Sequence, residues 1–128
     1  MTHSTDSLSS IALAKVCASV VADKKAKQVC ILDLRGLASY TDCLMICSGI
    51  SSRHVTTLGQ YLTQHLAQKG KRPVGVEGET SCNWVLVDYG DVVAHMFDEE
   101  TRLHYDLEGL WADAPRIAWE NSHSTLHF

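Results

Sequence analysis

Apolar residues recur along this chain with two different periods, and the switches between them mark out its elements. Over residues 8–22, Leu13, Val16, Cys17 and Val20 fall at i, i+3, i+4 and i+7, the stripe of an amphipathic helix that packs on something larger. A polar connection, Asp23-Lys24-Lys25-Ala26-Lys27, follows; its three lysines suit a solvated turn or a weak phosphate contact. Residues 28–34, with Val29-Cys30-Ile31-Leu32, are apolar on both faces, as a central strand is. Residues 35–41 form a loop, and Asp42 to Gly49 resumes the same pattern through Cys43-Leu44-Met45-Ile46-Cys47. A second helix then places Val55, Leu58, Leu62 and Leu66 at helical spacing, capped by Ser51 or Ser52 and stopped at Gly70. Pro73 to Gly78 is a third short strand. Strand, helix and strand in succession predict that the strands at 43 and 74 are parallel, joined by a right-handed crossover.

The stretch from Cys82 to Trp111 changes period twice. Trp84-Val85-Leu86-Val87-Asp88 and Asp91-Val92-Val93-Ala94-His95-Met96-Phe97 alternate as strands do, with Tyr89-Gly90 between them as a two-residue hairpin loop. That loop sets Asp88 opposite Asp91, Leu86 opposite Val93 and Trp84 opposite His95. Alternation then gives one wholly apolar face, Val85, Val87, Val92, Ala94 and Met96, which suits a core. The other face carries Trp84, Leu86, Asp88, Asp91, Val93, His95 and Phe97. Like charges directly opposite repel, so Asp88 beside Asp91 implies solvation or a cation supplied from outside. This mixed face is either covered by the protein's own helix or left open as a docking surface. Asp98-Glu99-Glu100 opens a last helix with acids at its positive end. In it Leu103, Leu107, Leu110 and Trp111 form a buried stripe, with Tyr105 off the stripe and exposed. The whole predicts a single α/β domain whose mixed sheet of about five strands is flanked by helices, over residues 1–113, with a loose tail at 114–128.

Composition narrows the function classes. At 128 residues, 45% hydrophobic and 20% charged, the chain is long enough for one domain with a sizeable core. No apolar run approaches a membrane span, so no membrane partner is expected. Met1 to Ser10 hold no Lys or Arg, which argues against a secretory or transit peptide and for a cytoplasmic protein. Cys17, Cys30, Cys43, Cys47 and Cys82 include no Cys-x-x-Cys pair and read as free, mostly buried thiols. The net charge of -4 conceals a division: residues 1–72 hold 9 Lys/Arg against 4 Asp/Glu, and residues 73–128 hold 2 against 11. The hairpin and last helix lie in the acidic part, where a basic protein is a better electrostatic match than nucleic acid.

A catalytic site does not assemble from these residues. Gly49-Ile50-Ser51-Ser52 before a helix can bind an anion, but it is neither a P-loop nor a dinucleotide fingerprint, and capping accounts for the serines. Arg53 and His54 in the first turn make no motif alone. The histidines and cysteines take up no zinc-type spacing, and neither metal nor cofactor is expected. His95, mid-strand, suits a hydrogen-bonded structural role. A Cys/His nucleophile pair stays open, because such partners meet in space rather than along the chain. Asp88 and Asp91 could serve as general acid and base or hold a divalent metal, yet no phosphate-binding loop or further carboxylates stand beside them. Lys24, Lys25, Lys27, Lys69, Lys71 and Arg72 leave an RNA-binding reading open.

Five stretches resemble a known family in order and spacing: Asp42-Cys43-Leu44-Met45-Ile46-Cys47-Ser48-Gly49, Ser51-Ser52-Arg53-His54-Val55, Gly75-Val76-Glu77-Gly78, Trp84 to His95, and Tyr105-Asp106-Leu107-Glu108-Gly109-Leu110-Trp111. Across about residues 8 to 113 the chain is similar to the ribosomal silencing factors, RsfS, also called Iojap-like proteins. The resemblance implies a nucleotidyltransferase-like fold without the catalytic acids, and a translation regulator rather than an enzyme. It implies binding to the large ribosomal subunit through ribosomal protein L fourteen, so that the small subunit cannot join. Direct RNA contact would be minor, and a homodimer of the free protein is compatible with it. On that basis the partner surface is expected at Trp84 and Leu86 as apolar anchors, Asp88 and Asp91 as acceptors for Lys or Arg, and Tyr105 beside them. Two features depart from the family pattern. Gly109 stands where a longer side chain is common, weakening a helix there by up to about 1 kcal/mol, and the resemblance carries nothing to the tail.

Overall fold

The apolar runs at 28–34, 42–49 and 84–97 meet in one sheet, which the computed structural model describes together with its flanking elements over residues 9–78 and 83–119. In chain order these are α1 (Ser10–Asp23), β1 (Lys27–Asp33), β2 (Cys43–Gly49), α2 (Ser52–Gln68), β3 (Gly75–Glu77), β4 (Trp84–Asp88), β5 (Val92–Asp98), α3 (Glu99–Tyr105) and α4 (Leu107–Leu110). The strand order is β1-β2-β5-β4-β3. β2 and β5 are parallel and the remaining neighbours antiparallel, so the sheet is mixed as predicted. β3 does run in the direction of β2, but β5 and β4 stand between them; the parallel neighbour of β2 is β5. β2 is buried along its whole length, as its unbroken apolar run requires.

One face of the sheet is covered by α1 and α2. Ser9 caps α1 and Ser51 caps α2, each hydroxyl accepting from the backbone N–H three residues on. Leu13, Cys17 and Val20 are buried as predicted, with Ala14, Ala18 and Val21, while Val16 is half-buried. From α2, Val55, Leu58, Leu62 and Leu66 reach the same core, meeting Met45, Val85, Val87, Ala94 and Met96 of the sheet. Gly59 lets α2 approach closely: a Cβ there would stand 2.8 Å from Val85 Cγ1. Gly59→Ala gains up to about 1 kcal/mol of helix propensity but overpacks a β-branched neighbour at a cost of about 1–3 kcal/mol. The expected net result is a destabilised variant with a lower urea midpoint; a higher midpoint would show that the layers part without strain.

The hairpin corrects the predicted register. Trp84 pairs with Phe97, Leu86 with His95 and Asp88 with Val93. Tyr89 N–H donates to the Val92 carbonyl at 2.8 Å, so the loop is Gly90-Asp91, and Asp91 is not opposite Asp88. Tyr89 is buried at 4% exposure, and this apolar demand draws it out of the turn and into the strand pair. Gly90 supplies the positive φ, +87°, that the loop needs. A slip of two residues leaves each strand side chain on its predicted face.

β1 stands at the sheet's edge, which corrects its placement as a central strand. Its outer side is nevertheless occupied. Asp33 N–H donates to the Pro115 carbonyl at 2.8 Å, and Ile117 N–H to the Ile31 carbonyl at 2.9 Å. Trp119 Nε1 donates to the Val29 carbonyl at 3.2 Å, and Ile117 and Trp119 pack on the core. Residues 114–119, expected to be loose, are thus hydrogen-bonded along the outer side of β1, whose Ile31 and Leu32 are buried while Lys27 and Gln28 stay exposed. Cys82 and the rest of the tail, 120–128, lie outside the described residues.

Candidate functional site: the open sheet face around Trp84

The second face of the sheet is covered incompletely. Val93, His95 and Phe97 of β5 are buried there, whereas Trp84, Leu86 and Asp88 on the outer neighbour β4 remain half-buried. Among the described residues the helices that cross this side are short, and they differ from the single helix predicted. Asp106 adopts a left-handed conformation, φ 47° and ψ 55°, ending α3 and capping α4 by accepting from Gly109 N–H at 3.1 Å. The Asp106 carboxylate occupies the space a Cβ on Gly109 would need, so glycine here permits a cap where a helix interior was expected.

The break splits the predicted stripe. Leu103 is 80% exposed and Leu110 69% exposed, while Leu107 and Trp111 are half-buried against Leu44, Ile46 and Phe97 of the sheet's second core. The inward position belongs to Arg102, at 7% exposure. Its Nη1 donates to the Gln28 carbonyl and to Ser48 Oγ, both at 2.8 Å. Its Nη2 meets Glu108 Oε2 at 2.6 Å. The guanidinium therefore ties both short helices to β1 and β2. The same contact holds the Glu108 carboxyl below the usual carboxylate range. With Arg102 turned in, the adjacent Leu103 is turned out.

Trp84 is the centre of the aromatic group. Its ring stacks on Phe97 at 5.8 Å and on His95 at 6.0 Å between centroids, with Tyr105 of α3 tilted against it at 5.1 Å. Its Nε1 donates to His95 Nδ1 at 3.1 Å. His95, read from sequence as structural, is the residue that orients the indole. Tyr105 is half exposed, as expected, and an open groove is lined by Trp84, Leu103, Tyr105 and the acids Asp98 and Glu100. Tyr40, 60% exposed, extends the aromatic surface by its contact with Trp111 at 6.5 Å. Leu103, Leu110 and Tyr40 were not anticipated as surface residues; Asp106 three positions before Gly109 was the available signal that the helix restarts there.

Burial pushes the His95 pKa down to about 4 from an ordinary 6.5. The unfolded chain then binds the extra proton first, so this contribution to stability is complete above about pH 6.5 and declines as the pH falls toward 4. The expected loss across that window is up to about 3 kcal/mol. Urea titrations of the protein and of His95→Phe at pH 7 and pH 5 check it: only the histidine form should weaken through this step.

Asp88 and Asp91 do not form a pair. Asp88 Oδ1 accepts from Gly90 N–H at 2.7 Å, closing the turn, and Asp91 is exposed with its carbonyl accepting from Asp42 and Cys43 N–H. Among the described residues no three His, Cys, Asp or Glu side chains group so as to hold a metal. Cys17 and Cys47 are buried thiols whose pKa burial pushes up to about 12, which suits packing rather than nucleophilic chemistry. His54 is a bracket: Nδ1 accepts from Ile50 N–H at 2.9 Å and Nε2 meets the Lys24 carbonyl at 2.8 Å.

The sequence pattern of the family described as "Ribosomal silencing factor during starvation" matches residues 7–127, extending past the stretch that the motifs covered. The chain is 37% identical over 108 residues to ribosomal silencing factor RsfS of Halalkalibacterium halodurans, covering 84% of this chain and 92% of that protein. It is 34% identical over 96 residues to the mouse protein named mitochondrial assembly of ribosomal large subunit protein 1, covering 73% of this chain and 42% of the relative. A crystal structure of a Chromobacterium violaceum protein superposes with a TM-score of 0.79 at 32% identity, covering 88% of this chain and 92% of the other. The chain belongs to the ribosomal silencing factor family, whose role is the regulation of translation at the ribosome.

Proposed function

We propose that this protein represses translation without catalysis, by docking the Trp84 face on the large ribosomal subunit and standing where the small subunit would join. The observation that carries the reading is the exposure of Leu103, Leu110 and Tyr105 on the side where Trp84 is half-uncovered. Exposed apolar groups brought together on one side favour a protein partner, and aromatic anchors dominate the energetics of such surfaces. Asp98 and Glu100 line the groove beside Trp84 and, with Asp88 and Asp91 at the hairpin tip, would meet Lys and Arg of a basic ribosomal protein. Ribosomal protein L fourteen is the partner the family resemblance implies. A mitochondrial relative bears the name of large-subunit assembly, which agrees with attachment to that subunit.

The cytoplasm is the compartment in which this activity belongs. Among the described residues no helix is long and apolar enough to cross a membrane. The same open face would close a homodimer of the free protein, so self-association and ribosome binding would compete. Sedimentation with isolated subunits tests the function. The protein should travel with large subunits alone, with no nucleotide added, and should slow subunit joining followed by light scattering. Co-sedimentation with small subunits only, or joining at an unchanged rate under saturation, would overturn it.

A further inference from the structure

Among the described residues no Lys or Arg lines the groove beside Trp84, and the fold gathers several of those from the first half of the chain on the opposite side of the sheet. α2 contains no acidic residue, and α1 contains one, Asp23. A groove runs between the two helices, lined by Lys15, Asp23, His65 and Lys69 over apolar flanks from Val16 and Val20. At its other end Lys24 Nζ lies 4.5 Å from the ring centre of Tyr61, which holds that ammonium against α2, and Tyr61 in turn packs on His65. Lys71 and Arg72, both exposed, continue the positive surface past the end of α2. Among the described residues no carboxylate comes within 4.0 Å of any of these lysines.

We propose that the groove between α1 and α2 is a second docking surface, for the phosphodiester backbone of structured RNA. Lys15 and Lys69 in the groove, and Lys24 beside Tyr61, are cations that form no ion pair among the described residues, and they outnumber the one carboxylate there, Asp23; unpaired cations of this kind release counterions from a polyphosphate. Contacts of this kind position a protein without reading sequence. The exposed large apolar side chains among the described residues, Leu37, Tyr40, Ile50, Val74, Leu103, Tyr105 and Leu110, all lie outside α1 and α2. That favours a polyanion over a protein or a lipid surface, each of which would seek apolar anchors. The inference does not rest on the proposed role of the Trp84 face. On a ribosome it would give the protein two holds on opposite sides of its sheet.

The test is fluorescence anisotropy with a short labelled RNA duplex, at several salt concentrations, on the full chain. The protein should bind, with affinity falling steeply as salt rises. Lys69→Glu should weaken binding about tenfold or more and lower the log–log salt slope by about one for each phosphate left without its cation. Arg116→Glu makes the same change of charge at the β1 edge and should leave affinity nearly unaltered. Leu103→Asp should do the same, which separates this surface from the Trp84 face. Equal losses from Lys69→Glu and Arg116→Glu would reduce the effect to net charge and overturn the assignment. So would an absence of duplex binding at low salt, or binding to anionic phospholipid vesicles but not to RNA.

Discussion

Arg102→Ala is expected to lower the free energy of unfolding by about 3 kcal/mol, the lower end of the range for removing one partner of a buried ion pair, because Glu108 keeps some solvent access. The loss arises from several groups at once. Ser48 Oγ, on a fully buried strand, forfeits its 2.8 Å donor; the Gln28 carbonyl forfeits another; and Glu108 is left facing a cavity. α3 and α4 are seven and four residues long, too short to hold their shape without such an anchor. The variant should therefore also weaken ribosome binding, through disorder of the segment that carries Leu103 and Tyr105. Urea unfolding followed by tryptophan fluorescence measures the first effect. A loss below about 1 kcal/mol would mean that water replaces the guanidinium.

Leu103→Asp combined with Leu110→Asp is expected to do the opposite: little change in stability and a large loss of docking. Side chains this exposed contribute little to folding, and surface substitutions away from special contacts usually stay within about 0.5 kcal/mol. On a docking surface the same change buries two unpaired charges, and a loss of at least about 2 kcal/mol, some thirtyfold in affinity, follows. Trp84→Ala should weaken docking by a similar amount but is a less clean variant. The indole also stacks on Phe97 and His95, so part of its effect will appear in folding. Matched unfolding and co-sedimentation measurements separate the two contributions.

How much of this could be read from sequence depended on whether local period or tertiary context decided each position. α1, α2 and β2 were legible because their apolar residues follow a single period and pack on one core. The two faces of the hairpin were legible for the same reason, even though the register was not. There Gly90 correctly marked the turn, but the burial of Tyr89 decided where it closed. β1 looked central because its outer side is covered by residues 114–119, a pairing no local pattern announces. The last helix misled most. Leu103, Leu107, Leu110 and Trp111 satisfy helical spacing, yet the left-handed Asp106 breaks the helix and Arg102 takes the inner position. Long-range hydrogen bonds decided that orientation, and the partners of Arg102 on β1 and β2 lie over fifty residues away in sequence.

Of the expected partner residues, the structure brings Trp84, Leu86 and Tyr105 to one side of the sheet and leaves Asp88 and Asp91 at the hairpin tip as separate acids. Their role in binding remains part of the proposal. The aromatic group built on Trp84 is held from beneath by His95 and Phe97 and from one side by Tyr105, so the indole presents a fixed surface. A rigid aromatic anchor loses little conformational freedom on binding.

The most direct test is a photo-cross-linking amino acid encoded in place of Leu103 and, separately, in place of Leu110, with the protein bound to purified large subunits. A strong cross-link from both positions to one basic ribosomal protein is expected, lost when Trp84→Ala is added. Bound protein that gives no cross-link from either position would show that the Trp84 face looks away from the ribosome and is not the docking surface.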